Sequence, residues 1–257
     1  MFWGIDIGSR SIELVGIDEN GRVKVTKLMP TAYNPIGQME LILKDVPESD
    51  PIVSTGYGRN LFMEHFPWEG KRKSVTEIQA YAKGALALYP EVRMILDIGG
   101  QDTKAIALDD RGQIVKFEMN DRCAAGTGKF LEFMAAALHV PLEEFGEFAM
   151  KATKKLKVAS LCTVFAESEA TSLMARGEKP EDIARALHES IVSRTVAMVK
   201  RVGFKKPLLF GGGVARNICV VNLITEALNC EPIIPDNPEA VGALGAALIA
   251  RENYIAL

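Results

Sequence analysis

Ile5-Asp6-Ile7-Gly8-Ser9 and Leu96-Asp97-Ile98-Gly99-Gly100 are the same phrase written twice, 91 positions apart. The register continues without a gap. Ile17-Asp18-Glu19-Asn20-Gly21 falls on Leu108-Asp109-Asp110-Arg111-Gly112, and Val23 falls on Ile114. Each copy reads as strand, glycine turn, alternating strand, polar glycine turn, strand. A single Asp-Ile-Gly would be explained by a hairpin. Two in register mark a duplication, so the expected fold is made of two similar halves.

The residue types at the repeated turn point to phosphate. A glycine after the aspartate permits positive φ and lets backbone N–H groups approach an anion closely. Gly8, Ser9, Arg10 and Ser11 line the first turn; Gly99, Gly100, Gln101, Asp102 and Thr103 line the second. Asp6 and Asp97 are expected at strand ends, facing one another across a cleft. There they would hold Mg²⁺ through its water shell, which suits a cation that keeps most of its waters. A third glycine cluster follows the short apolar run Pro207-Leu208-Leu209-Phe210. Gly211-Gly212-Gly213-Val214-Ala215-Arg216-Asn217 leads into a helical pattern that runs to Asn229. Strand, glycines, helix lets a base or ribose lie against backbone, so Gly211, Gly212, Gly213, Ala215 and Asn217 are candidate adenosine contacts.

Bulk properties narrow the classes. The 257 residues suffice for two modest domains. A net charge of −3 gives no broad basic field, which argues against nucleic acid as the main partner. No apolar run approaches the roughly 20 residues of a membrane-spanning helix. Met1-Phe2-Trp3-Gly4-Ile5-Asp6 has no basic n-region and no cleavage site, so no secretory signal is expected. Four cysteines without CxxC spacing do not form a disulfide framework. A reducing cytoplasm is the expected compartment, with thiols available for metals or redox chemistry.

The order DIGS, DIGGQD, GGGVARN resembles the actin/sugar-kinase/Hsp70 superfamily (ASKHA, ribonuclease H-like). Within it, the chain resembles the activator components of 2-hydroxyacyl-CoA dehydratases and the related benzoyl-CoA reductase ATPase subunits, the BadF/BadG/BcrA/BcrD ATPase family. The segments that carry the resemblance are Thr55 to Asn60, Asp97 to Lys104, Asn120 to Gly128, Cys162 to Glu169 and Gly211 to Asn217. It implies an α/β fold of mixed sheets flanked by helices, with ATP between two halves. Residues 1–84 with 238–257 would form the first half, and 94–237 the second with the cluster-binding helices. The family's first phosphate loop carries a lysine where this chain has Glu13, whose repeat partner is Lys104. Either Arg10 takes over that contact or the first loop binds more weakly.

Cys123 and Cys162 both read as helix starts. Phe130, Leu131, Met134 and Leu138 follow the first at helical spacing, and Thr163 follows the second as a candidate cap. Free N–H groups at such ends would stabilise thiolates. On residue types alone, ordinary core thiols remain the alternative. The resemblance implies that two chains each contribute Cys123 and Cys162 to one bridging [4Fe–4S] cluster, in a homodimer. It further implies ferredoxin or flavodoxin as electron source and an iron–sulfur partner protein as acceptor. Gly126 is counted among the nucleotide candidates, although Gly126-Thr127-Gly128-Lys129 is no P-loop. Cys123 stands at the first glycine of GxxxxGK(S/T) and Phe130 at its Ser/Thr.

The expected function is therefore ATP-driven one-electron donation, with Gln101 or Asp102 orienting the attacking water beside Asp6 and Asp97. A small-molecule kinase or a non-redox ATP-binding regulator on the same fold is the alternative. No sugar-binding insertion is present to favour the kinase. His65, His139 and His188 show no ligand spacing and read as structural, as do Cys219 and Cys230.

Overall fold

The computed structural model describes residues 1–121, 123–158 and 163–255. The chain runs β1 (Phe2–Ile7), β2 (Ser11–Ile17), β3 (Val23–Pro30), α1 (Pro35–Leu43), β4 (Ile52–Thr55), α2 (Arg59–His65), β5 (Arg72–Ser74) and α3 (Glu77–Leu88). It continues through β6 (Met94–Ile98), β7 (Thr103–Leu108), β8 (Ile114–Asn120), α4 (Gly128–Ala137), α5 (Phe145–Met150) and α6 (Thr163–Ala175). Then come α7 (Pro180–Val202), β9 (Leu208–Gly211), α8 (Ile218–Leu228) and α9 (Val241–Ile255). Contacts divide the chain into two compact units. One is Met1–Val92 with Asp110–Ile114 and Pro235–Leu257; the other is Arg93–Asp109 with Val115–Ile234.

The first unit is built on a five-stranded sheet in the order β3-β2-β1-β4-β5. β1 is antiparallel to β2 and parallel to β4, so the sheet is mixed. Every residue of β1 is buried, as a strand covered on both faces requires. β3, at the sheet edge, instead alternates exposed and half-buried residues. One apolar cluster joins Ile5, Ile7, Ile12 and Leu14 to Met39, Ile42 and Phe62; another joins Phe2, Val15 and Val53 to Ala243, Ala246 and Ala247 of α9.

Small residues let α9 come this close. A Cβ on Gly4 would stand 2.1 Å from the carbonyl oxygen of Ala243, and one on Gly245 1.8 Å from that of Ala80 in α3. No side chain fits at either place, so backbone packs on backbone. α3 itself begins with a capping box in which Thr76 and Gln79 satisfy one another's backbone N–H groups.

The second unit repeats the plan with four strands, β8-β7-β6-β9, where β6 is antiparallel to β7 and parallel to β9. Its core gathers Leu96, Ile98, Phe130, Phe145, Leu187, Ile191, Phe210 and Ile224 from the sheet and from α4, α5, α7 and α8. α7 starts with proline at its first turn and ends where Gly203 takes φ 101°.

The duplication is geometric as well as sequential. In each copy the glycine after the strand donates across its turn, Gly8 N to Ser11 O and Gly99 N to Asp102 O, both at 2.9 Å. The second turns match too, with Gly21 at φ 81° and Gly112 at φ 75°.

Candidate functional site

In the first unit, Asp6 lies on β1 opposite Glu13 of β2 and beside Thr55 of β4. Both acids are buried, at 5% and 4% exposure. A Cβ on Gly56 would stand 2.4 Å from Asp6 Oδ1, and one on Gly242 2.1 Å from Asp6 Oδ2. Two glycines thus admit the carboxylate between bare stretches of backbone. The turn that follows is pinned by Thr31, whose hydroxyl donates to Gly8 O at 2.7 Å and whose N–H donates to Arg10 O at 3.0 Å. Ser9 and Ser11 are half-buried there, and Arg10 is exposed.

The second unit carries the same turn with different charge. Asp97, 1% exposed, stands opposite Lys104 instead of a second acid. Lys104 Nζ lies 3.0 Å from Asp97 Oδ2 and 2.7 Å from Asp102 Oδ2. A buried ammonium between two carboxylates compensates its desolvation in the way an isolated one cannot. Asp102 also folds back over the turn, since a Cβ on Gly99 would meet its Oδ1 at 2.6 Å. The side chain is therefore occupied with Lys104, whereas Gln101 is exposed. Of the two residues expected to orient water, Gln101 is the one whose side chain faces solvent.

The third glycine cluster is brought directly beside Asp97. Gly212 takes φ 79°, and a Cβ on it would meet Ile98 O at 2.4 Å and Asp97 Oδ1 at 2.7 Å. Gly56 makes the matching approach to Ile7 O and Asp6 Oδ1 in the first unit, at φ 87°. The Thr55-Gly56 turn is thus the first-unit counterpart of Gly211-Gly212, an equivalence that the 91-residue register does not reveal. The offset differs because α4 to α7 precede the fourth strand of the second unit. Gly211, Gly212 and Ala215 are buried while Gly213 is exposed, with nothing within 4 Å of where its Cβ would be.

Cys123 is exposed, in the loop between β8 and α4. Sequence spacing places it at a helix start, but α4 begins at Gly128, after Thr127. The N–H groups of Gly128 and Lys129 donate to Gly99 O and Gly100 O, at 2.9 and 2.8 Å. Those first-turn donors are thus spent on the Gly99–Gly100 turn and not on the thiol. Gly126 bends the intervening loop at φ 98°. Cys162, the other expected ligand, lies outside the described residues. Among the described residues no three His, Cys, Asp or Glu side chains group as metal ligands would.

Residues 3–250 match the BadF/BadG/BcrA/BcrD ATPase family. The chain belongs to that family. It is 40% identical to the activator of lactoyl-CoA dehydratase from Anaerotignum propionicum, over 97% of this chain and 96% of that protein. The crystal structure of component A of (R)-2-hydroxyglutaryl-CoA dehydratase from Acidaminococcus fermentans superposes with a TM-score of 0.89 at 34% identity, covering 98% of each chain. The activator of 2-hydroxyisocaproyl-CoA dehydratase from Clostridium difficile, solved with bound ADPNP, gives 0.87 at 36% identity, over 98% of this chain and 95% of that one. A ROK family glucokinase from Streptomyces griseus shares the fold alone, with a TM-score of 0.59 at 13% identity. The fold is of the actin/sugar-kinase/Hsp70 type.

In this ATPase family member, Thr103, which the sequence places in the second turn, and His188, which it reads as structural, both sit at the glycine loops. Thr103 donates its hydroxyl to Gly126 O at 2.7 Å. His188, set aside as structural, holds the end of the third glycine loop. Its Nδ1 donates to Ala184 O at 2.7 Å, so the neutral ring offers Nε2 to the Asn217 amide nitrogen at 3.0 Å. Asn217 Oδ1 in turn accepts from Val220 N at 3.1 Å and caps α8. Both ends of the Asn217 amide are engaged within the unit, so this residue shapes the loop. Burial pushes the His188 imidazole down to about 4, keeping it neutral. No helix among the described residues is long and apolar enough to cross a membrane.

Proposed function

We propose that the protein is an ATP-hydrolysing one-electron donor that activates a partner iron–sulfur enzyme, such as a 2-hydroxyacyl-CoA dehydratase or a double-cubane-cluster protein. Cys123 and Cys162 from each of two copies would hold one [4Fe–4S] cluster. Ferredoxin or flavodoxin would supply the electron. The observation that carries this reading is an exposed thiol, Cys123, in a loop fastened to the Asp97 turn of a family ATPase. That relatives alike over nearly their whole length are dehydratase activators supports it.

The donor chemistry fits. Thiolates are the ordinary ligands of such clusters, and an exposed thiol is open to assembly. Bound there, the cluster would supply a low-potential one-electron store. The chain's own residues supply the rest. Asp6 and Asp97 are the candidates to hold Mg²⁺ through water. The backbone of the Gly8–Ser11 and Gly99–Gln101 turns would bind phosphate oxygens, and Gln101 would orient the attacking water. The exposed Gly213 would leave room for the adenosine, in a loop that Gly211, Gly212, Ala215 and Asn217 shape. Nucleotide can drive the protein only by binding one conformation better than another.

Anaerobic purification tests the reading. The wild type should show a broad visible absorption that dithionite bleaches, and Cys123→Ser should be colourless while still binding ATP. A brown, dithionite-bleachable Cys123→Ser protein would refute the assignment.

A further inference from the structure

The segment that carries Cys123 is joined to the Asp97 turn at three points. Gly128 N donates to Gly99 O at 2.9 Å, and Lys129 N to Gly100 O at 2.8 Å. Thr103, 2% exposed at the start of β7, donates its hydroxyl to Gly126 O at 2.7 Å. Between Cys123 and these anchors, the Asn120 amide holds Cys123 O at 3.0 Å and Ala125 O at 3.3 Å. Thr127 closes its own turn through Ala124 O at 2.7 Å. The thiol therefore sits at the end of a short hydrogen-bonded chain that begins on the glycine turn.

Peptide planarity gives that chain a direction. The C=O of Gly99 and the N–H of Gly100 belong to one rigid unit, as do the C=O of Gly100 and the N–H of Gln101. If those N–H groups turn to meet a phosphate, the carbonyls at the other ends of the same planes must turn with them. Those carbonyls are the acceptors for the first turn of α4. Glycine makes the rotation sterically accessible where a residue with a Cβ would resist it. Gly126, at φ 98°, is the bend between the cysteine and the helix, and Thr103 clamps its carbonyl.

We propose that Thr103 is a positioning residue which, with the Gly99–Gly100 and Gly100–Gln101 peptide units, transmits nucleotide binding to the Cys123 loop. The proposal rests on reading this turn as a phosphate loop, and its test separates the two. Full-length protein purified in air is titrated with ADPNP and Mg²⁺ by calorimetry. On the same samples, alkylation of Cys123 is timed by mass spectrometry, with buried Cys219 as internal reference.

Saturating ADPNP should slow Cys123 alkylation about fivefold or more, the low end of ordinary coupling between sites. In Thr103→Val, compared at its own saturating ADPNP, that ratio should fall to within about twofold of one, as loss of a single hydrogen bond permits. Thr103→Ser, which keeps the hydroxyl, should restore it. A wild-type protein that binds ADPNP with no change in the Cys123 rate overturns the proposal, whatever the variants do. So does a Thr103→Val protein with the full wild-type ratio. Failure of the wild type to bind ADPNP at all removes the phosphate-loop reading itself.

Discussion

Acidifying the protein from pH 7.5 to pH 5 tests how the neutral His188 is built into the second unit. Its Nδ1–H is committed to Ala184 O, and its Nε2 accepts from Asn217. A proton on Nε2 would therefore meet the Asn217 amide nitrogen, itself a donor. Burial is the main reason the imidazole is held at about 4, against 6.5 in the unfolded chain; the Ala184 bond opposes this, and the charge of Arg185 adds to it. Between those two values the unfolded chain binds a proton that the native protein does not. Stability must therefore rise with pH through the window and be lost as pH falls through it. At ~1.4 kcal/mol per tenfold change, the whole window is worth about 3 kcal/mol, and about 2 kcal/mol is lost by pH 5. The carboxylates held low by hydrogen bonds, such as Asp182 by the N–H groups of Lys154 and Thr153, lose their contribution only below this range. The assay is urea unfolding followed by far-UV circular dichroism, because Trp3 and Trp68 both lie in the first unit. Comparison with His188→Gln, which cannot titrate, isolates the imidazole. The variant should lose about 2 kcal/mol less than wild type between pH 7.5 and pH 5. Equal losses in the two proteins would refute the argument.

Three further substitutions check the buried ion pair and the packing at two glycines. Lys104→Met removes the cation between Asp97 and Asp102, and breaking so buried a pair should lower unfolding stability by about 3–5 kcal/mol; an unchanged denaturation midpoint would count against it. Gly245→Ala places a methyl 1.8 Å from Ala80 O and should cost at least about 2 kcal/mol. Gly213→Ala, which meets nothing within 4 Å, should stay within about 0.5 kcal/mol of wild type. Similar losses in both glycine variants would mean that α9 does not depend on close backbone contact.

The twin meanders are legible in the sequence, because a hairpin turn is written in its own residues. Gly8 bonds Ser11 and Gly99 bonds Asp102 over three positions, so the signal is local and survives in the order of the letters. The α8 boundaries were legible for the same reason, with Asn217 capping its start and Asn229 closing its end at φ 46°. The start of α4 was not. Helical spacing after Cys123 reads as a helix beginning there, yet the loop runs on to Thr127, because its carbonyls are taken by Asn120 and Thr103.

By itself the sequence determined the duplication and the hairpin turns at Gly8 and Gly99 and at Gly21 and Gly112, each turn written in residues a few positions apart, while its family resemblance carried the fold class. Only the tertiary structure decided what each turn touches. That Gly56 and Gly212 do the same work, that Lys104 holds both Asp97 and Asp102, and that His188 steadies Asn217 all depend on strands and helices far apart in the chain. Spacing along the sequence carries no trace of such partners, because each is chosen by which backbone the fold lays beside it.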